Sequence, residues 1–186
     1  MAIQHVIGFD DAPFDRIRRG DVPVVGAVFC GQRMEGVLLG RVRRDGANAT
    51  RVLHELVASS RFAAHLQLVF LQGIALAGFN VVDIQALHRA LAIPVLTVAR
   101  RSPDMAAIEA ALRGPVPGGA RKLRRLRRAG PMEPLAGVWI QRAGIDAREA
   151  ERVIRRFACH SHIPEPLRAA HLIAGALVRG QSTGRV

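Results

Sequence analysis

The residues best equipped for chemistry sit at the ends of apolar runs. Asp10 and Asp11 close the run Ile3 to Phe9. Neighbouring carboxylates there can hold a divalent cation or exchange protons with a bound molecule. A plainer role is open to them as well, because Asp after a strand caps turns by accepting from free backbone N–H groups. Adjacent strand residues point to opposite faces, so both acids reach one pocket only if the chain bends. Glu165 lies between two prolines at the head of a helical pattern, where the dipole favours an acid, with Arg168 one turn on as a partner. The same helix carries His171 inward, as a proton-transfer group or as a satisfied core histidine. Asn80 and Asp83 lie in the stretch Gly73 to Asp83. They suit ligand orientation, or equally a turn and a helix N-cap.

Bulk properties bound the partners. The chain has 186 residues, 49% of them apolar and 23% charged, which is enough for one globular domain spanning 1–186. Lys and Arg number 27 against 15 acids, a formal +12 that is almost entirely Arg. Such an excess suits a polyanion, DNA or RNA, through phosphate neutralisation; Arg-rich coding in a GC-rich genome would also produce it. The positive charge peaks in Arg121 to Arg128, where Arg121, Lys122, Arg124, Arg125, Arg127 and Arg128 surround Leu123 and Leu126. That segment is either a phosphate-binding helix face or a solvated helix docked by its leucines. With 4% aromatic residues and no Tyr, there is no base-stacking platform. Cys30 and Cys159 form no CxxC pair and read as thiols. Cys159-His160-Ser161-His162 lacks a second cluster at zinc spacing. No apolar run reaches membrane-spanning length, and the N-terminal MAIQHVIGFDD lacks the basic start, long apolar run and small-residue cleavage site of an export signal, so a cytoplasmic location is expected.

Periodicity orders the elements. Ile3 to Phe9, Val22 to Cys30 and Arg33 to Arg43 read as three consecutive strands, with a basic loop Arg16 to Gly20 after the first. Val37, Leu39 and Val42 are the candidate inward residues of the third. Short connections make these an antiparallel meander. Helix 49–59, strand 66–71, helix 83–91, strand 94–99 and helix 104–112 then alternate. A Pro/Gly break at 115–119, the basic helix, a strand at 138–141 and helices 146–157 and 165–178 follow. The order predicts an α/β fold of the ribonuclease H-like kind: a mixed central sheet, meander first and then alternating α/β units, flanked by helices. Such sheets bring acids together at the ends of the first and fourth strands.

Three runs carry a sharper likeness. Ile7-Gly-Phe-Asp-Asp-Ala-Pro-Phe14, Ala77-Gly-Phe-Asn-Val-Val-Asp-Ile84 and Ile163-Pro-Glu-Pro-Leu-Arg-Ala-Ala-His171 resemble the domain of unknown function 99 family. That family is also called endonuclease dU and is similar to endonuclease V; the likeness runs over essentially the whole chain. It implies an endonuclease V-like fold and a metal-dependent nuclease acting near deaminated or otherwise altered bases. Asp10 would be a metal ligand, with Asp11 beside it, and His171 a catalytic residue. Mg²⁺ or Mn²⁺ would be the cofactor. Two positions depart from the pattern: Gln72 stands where the family carries an aspartate, and Asn48 stands where an acid is expected, with Asp45 nearby in sequence. An amide offers one neutral carbonyl oxygen, so metal binding should be weak and cleavage weakened or lost. The competing reading is a non-catalytic module on the same fold that binds nucleic acid or protein, as a monomer or a homo-oligomer. A third is a pocket repurposed for another small ligand.

Overall fold

The computed structural model describes residues 2–15 and 20–182. Residues 16–19 of the expected basic loop lie outside that range. Strand β1 (His5–Asp11) pairs antiparallel with β2 (Asp21–Cys30), and β2 with β3 (Arg33–Arg43), as the short connections require. After helix α1 (Ala49–Ala58) the chain returns to the far side of β1 as β4 (Leu68–Gln72), parallel to it. A two-strand ribbon, β5 (Ala75–Leu76) with β6 (Asn80–Val81), precedes helix α2 (Ile84–Leu91). Strand β7 (Val95–Ala99) then adds parallel to β4. Helices α3 (Met105–Arg113) and α4 (Gly119–Ala129) lead to β8 (Glu133–Leu135) and β9 (Val138–Ala143), and β9 runs antiparallel to β7. Helices α5 (Ala147–Phe157) and α6 (Glu165–Arg179) complete the order, and the main sheet reads β3-β2-β1-β4-β7-β9-β8.

Two apolar layers sandwich the sheet. Ile7, Phe9, Val69 and Leu71 face α1 and α2, packing with Leu53, Val57, Ile84 and Leu87. Val6, Leu68, Phe70 and Leu96 face the other way, against Ile154 and Phe157 of α5 and Leu167, Ala170 and Ala174 of α6. Helix α6 is seated on β1 where a glycine permits it. A Cβ at Gly8 would lie 2.5 Å from the backbone of Pro166, so even alanine there would lift the helix off the sheet.

The third strand differs from expectation. Val42 is buried, but Val37 and Leu39 are 38% and 57% exposed, while Leu38 packs into the α1 layer. Strand β3 is the sheet edge, and the register slips at Val28/Phe29 of its partner, so Glu35 is the extra residue of a bulge. The α6 layer ends over β1 and β2 and leaves the other face of β3 uncovered. Strands β5, β6 and β8 carry too few residues to show an alternation in sequence.

Candidate active site at the ends of the first and fourth strands

The parallel register sets the geometry. Phe9 stands opposite Leu71, and one step further brings Asp10 beside Gln72. Both project to the α6 face, the side on which Val6 and Phe70 are packed. Asp10 is 5% exposed, and its Oδ2 lies 2.8 Å from His171 Nδ1 on α6. Its Oδ1 accepts the Asp11 N–H at 2.9 Å. This carboxylate holds the His171 pKa above the ordinary imidazole value, chiefly through their hydrogen bond, against the opposing effect of burial. The juxtaposition expected from the order of elements is therefore present: strand ends one and four meet, with a histidine across them.

Asp11 occupies the other side of β1, where its Oδ2 accepts the Ala77 N–H at 2.9 Å. Strand pairing continues without a break through Asp11 and Val24, so no bend turns it fully into the Asp10 face. The two carboxyl groups are still close enough to share a hydrogen bond. Burial, and then the charge of Asp10, raise the Asp11 pKa from 3.8 to about 6. Below that value the pair carries less than two negative charges.

Two acceptor oxygens in this layer are buried with no hydrogen-bond partner among the described residues: Gln72 Oε1 and Glu165 Oε1. Glu165 is 7% exposed and spends its other oxygen on Arg168 Nε at 2.8 Å, the i, i+3 pair expected from sequence. An unpaired buried carbonyl costs about 1–3 kcal/mol, so Gln72 is poised to accept from a ligand, a cation or water.

The remaining sequence candidates prove to be scaffold. Asn48 Oδ1 accepts the Arg43 N–H at 3.0 Å and Asn80 Nδ2 at 2.8 Å, so this amide staples the β3–α1 turn. Asn80 is fully buried. Its Oδ1 takes the Ala49 N–H at 3.0 Å and its Nδ2 also donates to the Arg43 carbonyl at 2.9 Å. Asp83 caps α2 through the Ala86 N–H at 3.0 Å and pairs with Arg128. Burial works to raise its pKa, but the Arg128 bond, the Ala86 N–H and Arg125 outweigh it and leave the value lowered. Asp45 accepts the Phe79 N–H at 2.8 Å. A helix-terminus or turn residue with a satisfied side chain has little left for a ligand, and sequence alone cannot distinguish the two states.

The basic segment needs the largest correction. Helix α4 lies in the α1/α2 layer, its Ala129 packed there, and not beside Asp10 and His171. Lys122 is fully buried, its Nζ donating to the Asp45 carbonyl at 2.6 Å, so it cannot meet a phosphate. Burial, more than its neighbours Arg121 and Arg125, lowers its pKa. Arg125 donates to the Val81 carbonyl at 3.1 Å, Arg128 binds Asp83, and Arg127 pairs with Glu109 at 3.5 Å. Arg121 and Arg124 are left on the exposed face. The i, i+3 repeat that reads as a cationic surface thus turns half of its cations into anchors.

Among the described residues no group of three or more His, Cys, Asp or Glu side chains could hold a metal ion. Two ions held about 4 Å apart need several anionic oxygens, and the residues here do not fit that arrangement. A single Mg²⁺ or Mn²⁺ asks for less, since Mg²⁺ keeps several waters and makes do with one or two carboxylates plus substrate phosphate.

A sheet that opens with a meander and continues with parallel crossovers has the ribonuclease H-like order of elements, the fold that endonuclease V structures share. The comparisons agree. A family model described as Endonuclease dU matches residues 3–178. A UPF0215 protein of Deinococcus radiodurans is 57% identical over 98% of this chain and 93% of its own. The crystal structure of a protein of unknown function from Archaeoglobus fulgidus superposes with a TM-score of 0.89 at 36% identity, covering 95% of this chain and 99% of that one. The chain belongs to the endonuclease dU family. Endonuclease V from Ciona intestinalis, in complex with a DNA containing an inosine followed by a ribo-adenosine, superposes with a TM-score of 0.54 over 90% of this chain and 83% of that one. Its 13% identity establishes a shared fold. No helix among the described residues is long and apolar enough to cross a membrane.

Proposed function

We propose that this protein is an attenuated metal-dependent endonuclease acting on DNA or RNA near altered, deaminated bases, with its reacting centre at Asp10, Gln72 and His171. The observation that supports this most is the junction of strand ends: a buried carboxylate, a buried unpaired carbonyl and a histidine converge on one face. The related fold holds inosine-containing DNA in the Ciona protein, and the +12 charge of this chain suits a polyanion. When bound, a divalent ion would supply Lewis-acid polarisation of a phosphodiester oxygen. Asp10 and Gln72 would hold it, and His171, kept protonated to higher pH by Asp10, would donate a proton to the departing oxygen. Attenuation follows from charge: one anionic side chain and one amide neutralise the ion less than a set of acids does.

A second reading rests on a specific observation. Asn48 and Asp45 are committed to backbone groups, so neither restores the missing charge, and the pocket would then serve a non-catalytic module that binds nucleic acid or a protein. Calorimetric titration with Mn²⁺, with and without an inosine-containing oligonucleotide, separates the two. The nuclease reading expects weak binding that strengthens with oligonucleotide and disappears in Asp10→Asn. Oligonucleotide binding with no Mn²⁺ dependence in either protein would favour the binding module and defeat the nuclease.

A further inference from the structure

Beyond Asp10, the same edge of the sheet carries a concavity. Strand β7 ends beside β4, with Gln72 opposite Val98 and the Gly73 N–H bonded to the Val98 carbonyl at 3.0 Å. Immediately past that end lies a cleft of about 460 Å³ lined by Arg100, Gly137, His160, Ser161, His162 and Ile163. Arg100, His160, Ser161 and His162 are exposed, and no acid lines the cleft. The cleft is built by the fold. The His162 ring lies over Gly137, where a Cβ would come within 2.5 Å of its Nδ1, and the Ser161 hydroxyl accepts the Ile163 N–H at 3.1 Å, which fixes the loop. Ile163 anchors that loop in the layer shared with α6. Arg100 and two histidines facing one opening without a carboxylate make a receptor for an anion with several acceptor oxygens.

Position identifies the anion. The cleft opens at the C-terminal ends of the parallel strands and leads directly into α6, the helix that bears His171. Helix α4, the other cationic element, lies in the opposite layer and has turned half of its cations into anchors.

We infer that the cleft of Arg100, His160, Ser161 and His162 holds a backbone phosphate of the nucleic-acid strand that is presented to Asp10. This rests on the nucleic-acid reading of the Asp10 site. The arginine supplies charge, and the serine and histidines supply directed N–H and O–H donors, so the contact positions the strand without reading its sequence.

Fluorescence anisotropy with a 20-nucleotide DNA carrying one inosine tests this between 50 and 200 mM salt. Arg100→Ala and the triple change Arg100→Ala/His160→Ala/His162→Ala remove exposed side chains and are compared with Arg89→Ala, an exposed arginine on α2 in the opposite layer. The triple variant is expected to bind about 5–20-fold more weakly at the lowest salt. The slope of log K against log salt should fall by about one, the share of a single phosphate contact, in both Arg100 variants and not in Arg89→Ala. Salt-dependent binding by the wild type that both Arg100 variants reproduce in affinity and slope would overturn the cleft assignment and leave the Asp10 reading intact. Failure of the wild type to bind the oligonucleotide at any salt would overturn both.

Discussion

Asp11→Asn isolates the electrostatic cost of placing two carboxyls at one strand end. The Asp11 pKa stands at about 6 in the folded chain against 3.8 for the unperturbed group, first because the group is buried and then because Asp10 is charged. The folded state therefore binds a proton that the unfolded chain has released. Between those two values stability falls as pH rises, the reverse of an ion-paired aspartate. A shift of this size corresponds to about 3 kcal/mol at 1.36 kcal/mol per pKa unit, an upper bound for Asp11 alone because Asp10 shares the titration. Asparagine keeps an acceptor for the Ala77 N–H and removes the charge. Urea denaturation of metal-free protein from pH 4 to 8 should show wild-type stability dropping through pH 4–6. Asp11→Asn should lack that drop and be more stable than wild type at pH 7.5, by at most about 3 kcal/mol. A variant that loses stability equally at every pH would show that Asp11 acts as a hydrogen-bond acceptor only and would refute the reasoning.

Other perturbations probe the neighbouring contacts. His171→Ala removes the Asp10 partner. Because the folded His171 pKa is raised, the stability it contributes is fully present below pH 6.5 and is lost as pH rises through the raised value, so the gap between wild type and variant should narrow in alkaline denaturation series. Lys122→Met keeps the buried stem but leaves the Asp45 carbonyl without its donor. It should cost about 1–3 kcal/mol in thermal unfolding and leave oligonucleotide affinity unchanged. Gln72→Asp should raise Mn²⁺ affinity in calorimetry at least tenfold by adding an anionic oxygen beside Asp10, while Asn48→Asp alone should leave it unchanged because its Oδ1 site is committed to the turn.

Much of the fold was legible because connection lengths leave few choices. Three strands with short links form a meander, and apolar runs such as Val95–Ala99, separated by helical periods, add in parallel. The neighbour relation of Asp10 and Gln72 followed from that topology together with the family likeness, and so did the inward direction of His171. What sequence did not reveal is how side chains spend their hydrogen bonds. Asn48, Asn80 and Asp83 have residue types suited to a ligand, yet each is occupied by backbone or by arginine. Lys122 and Arg128 belong to a run that looks uniformly solvated, and only the packing of α4 on the ribbon and α2 reveals which face is inward. Arg100 is distant in sequence from His160 and His162, and only the β7–β9 pairing brings them to one cleft.

The most direct test is cleavage of inosine-containing DNA and RNA oligonucleotides in Mn²⁺, comparing wild type, Asp10→Asn and Gln72→Asp by single-turnover kinetics. Wild type should cleave slowly near the inosine, Asp10→Asn should not cleave above background, and Gln72→Asp should cleave at least tenfold faster than wild type. Equal rates for wild type and Asp10→Asn, with no gain from the added carboxylate, would contradict the nuclease reading.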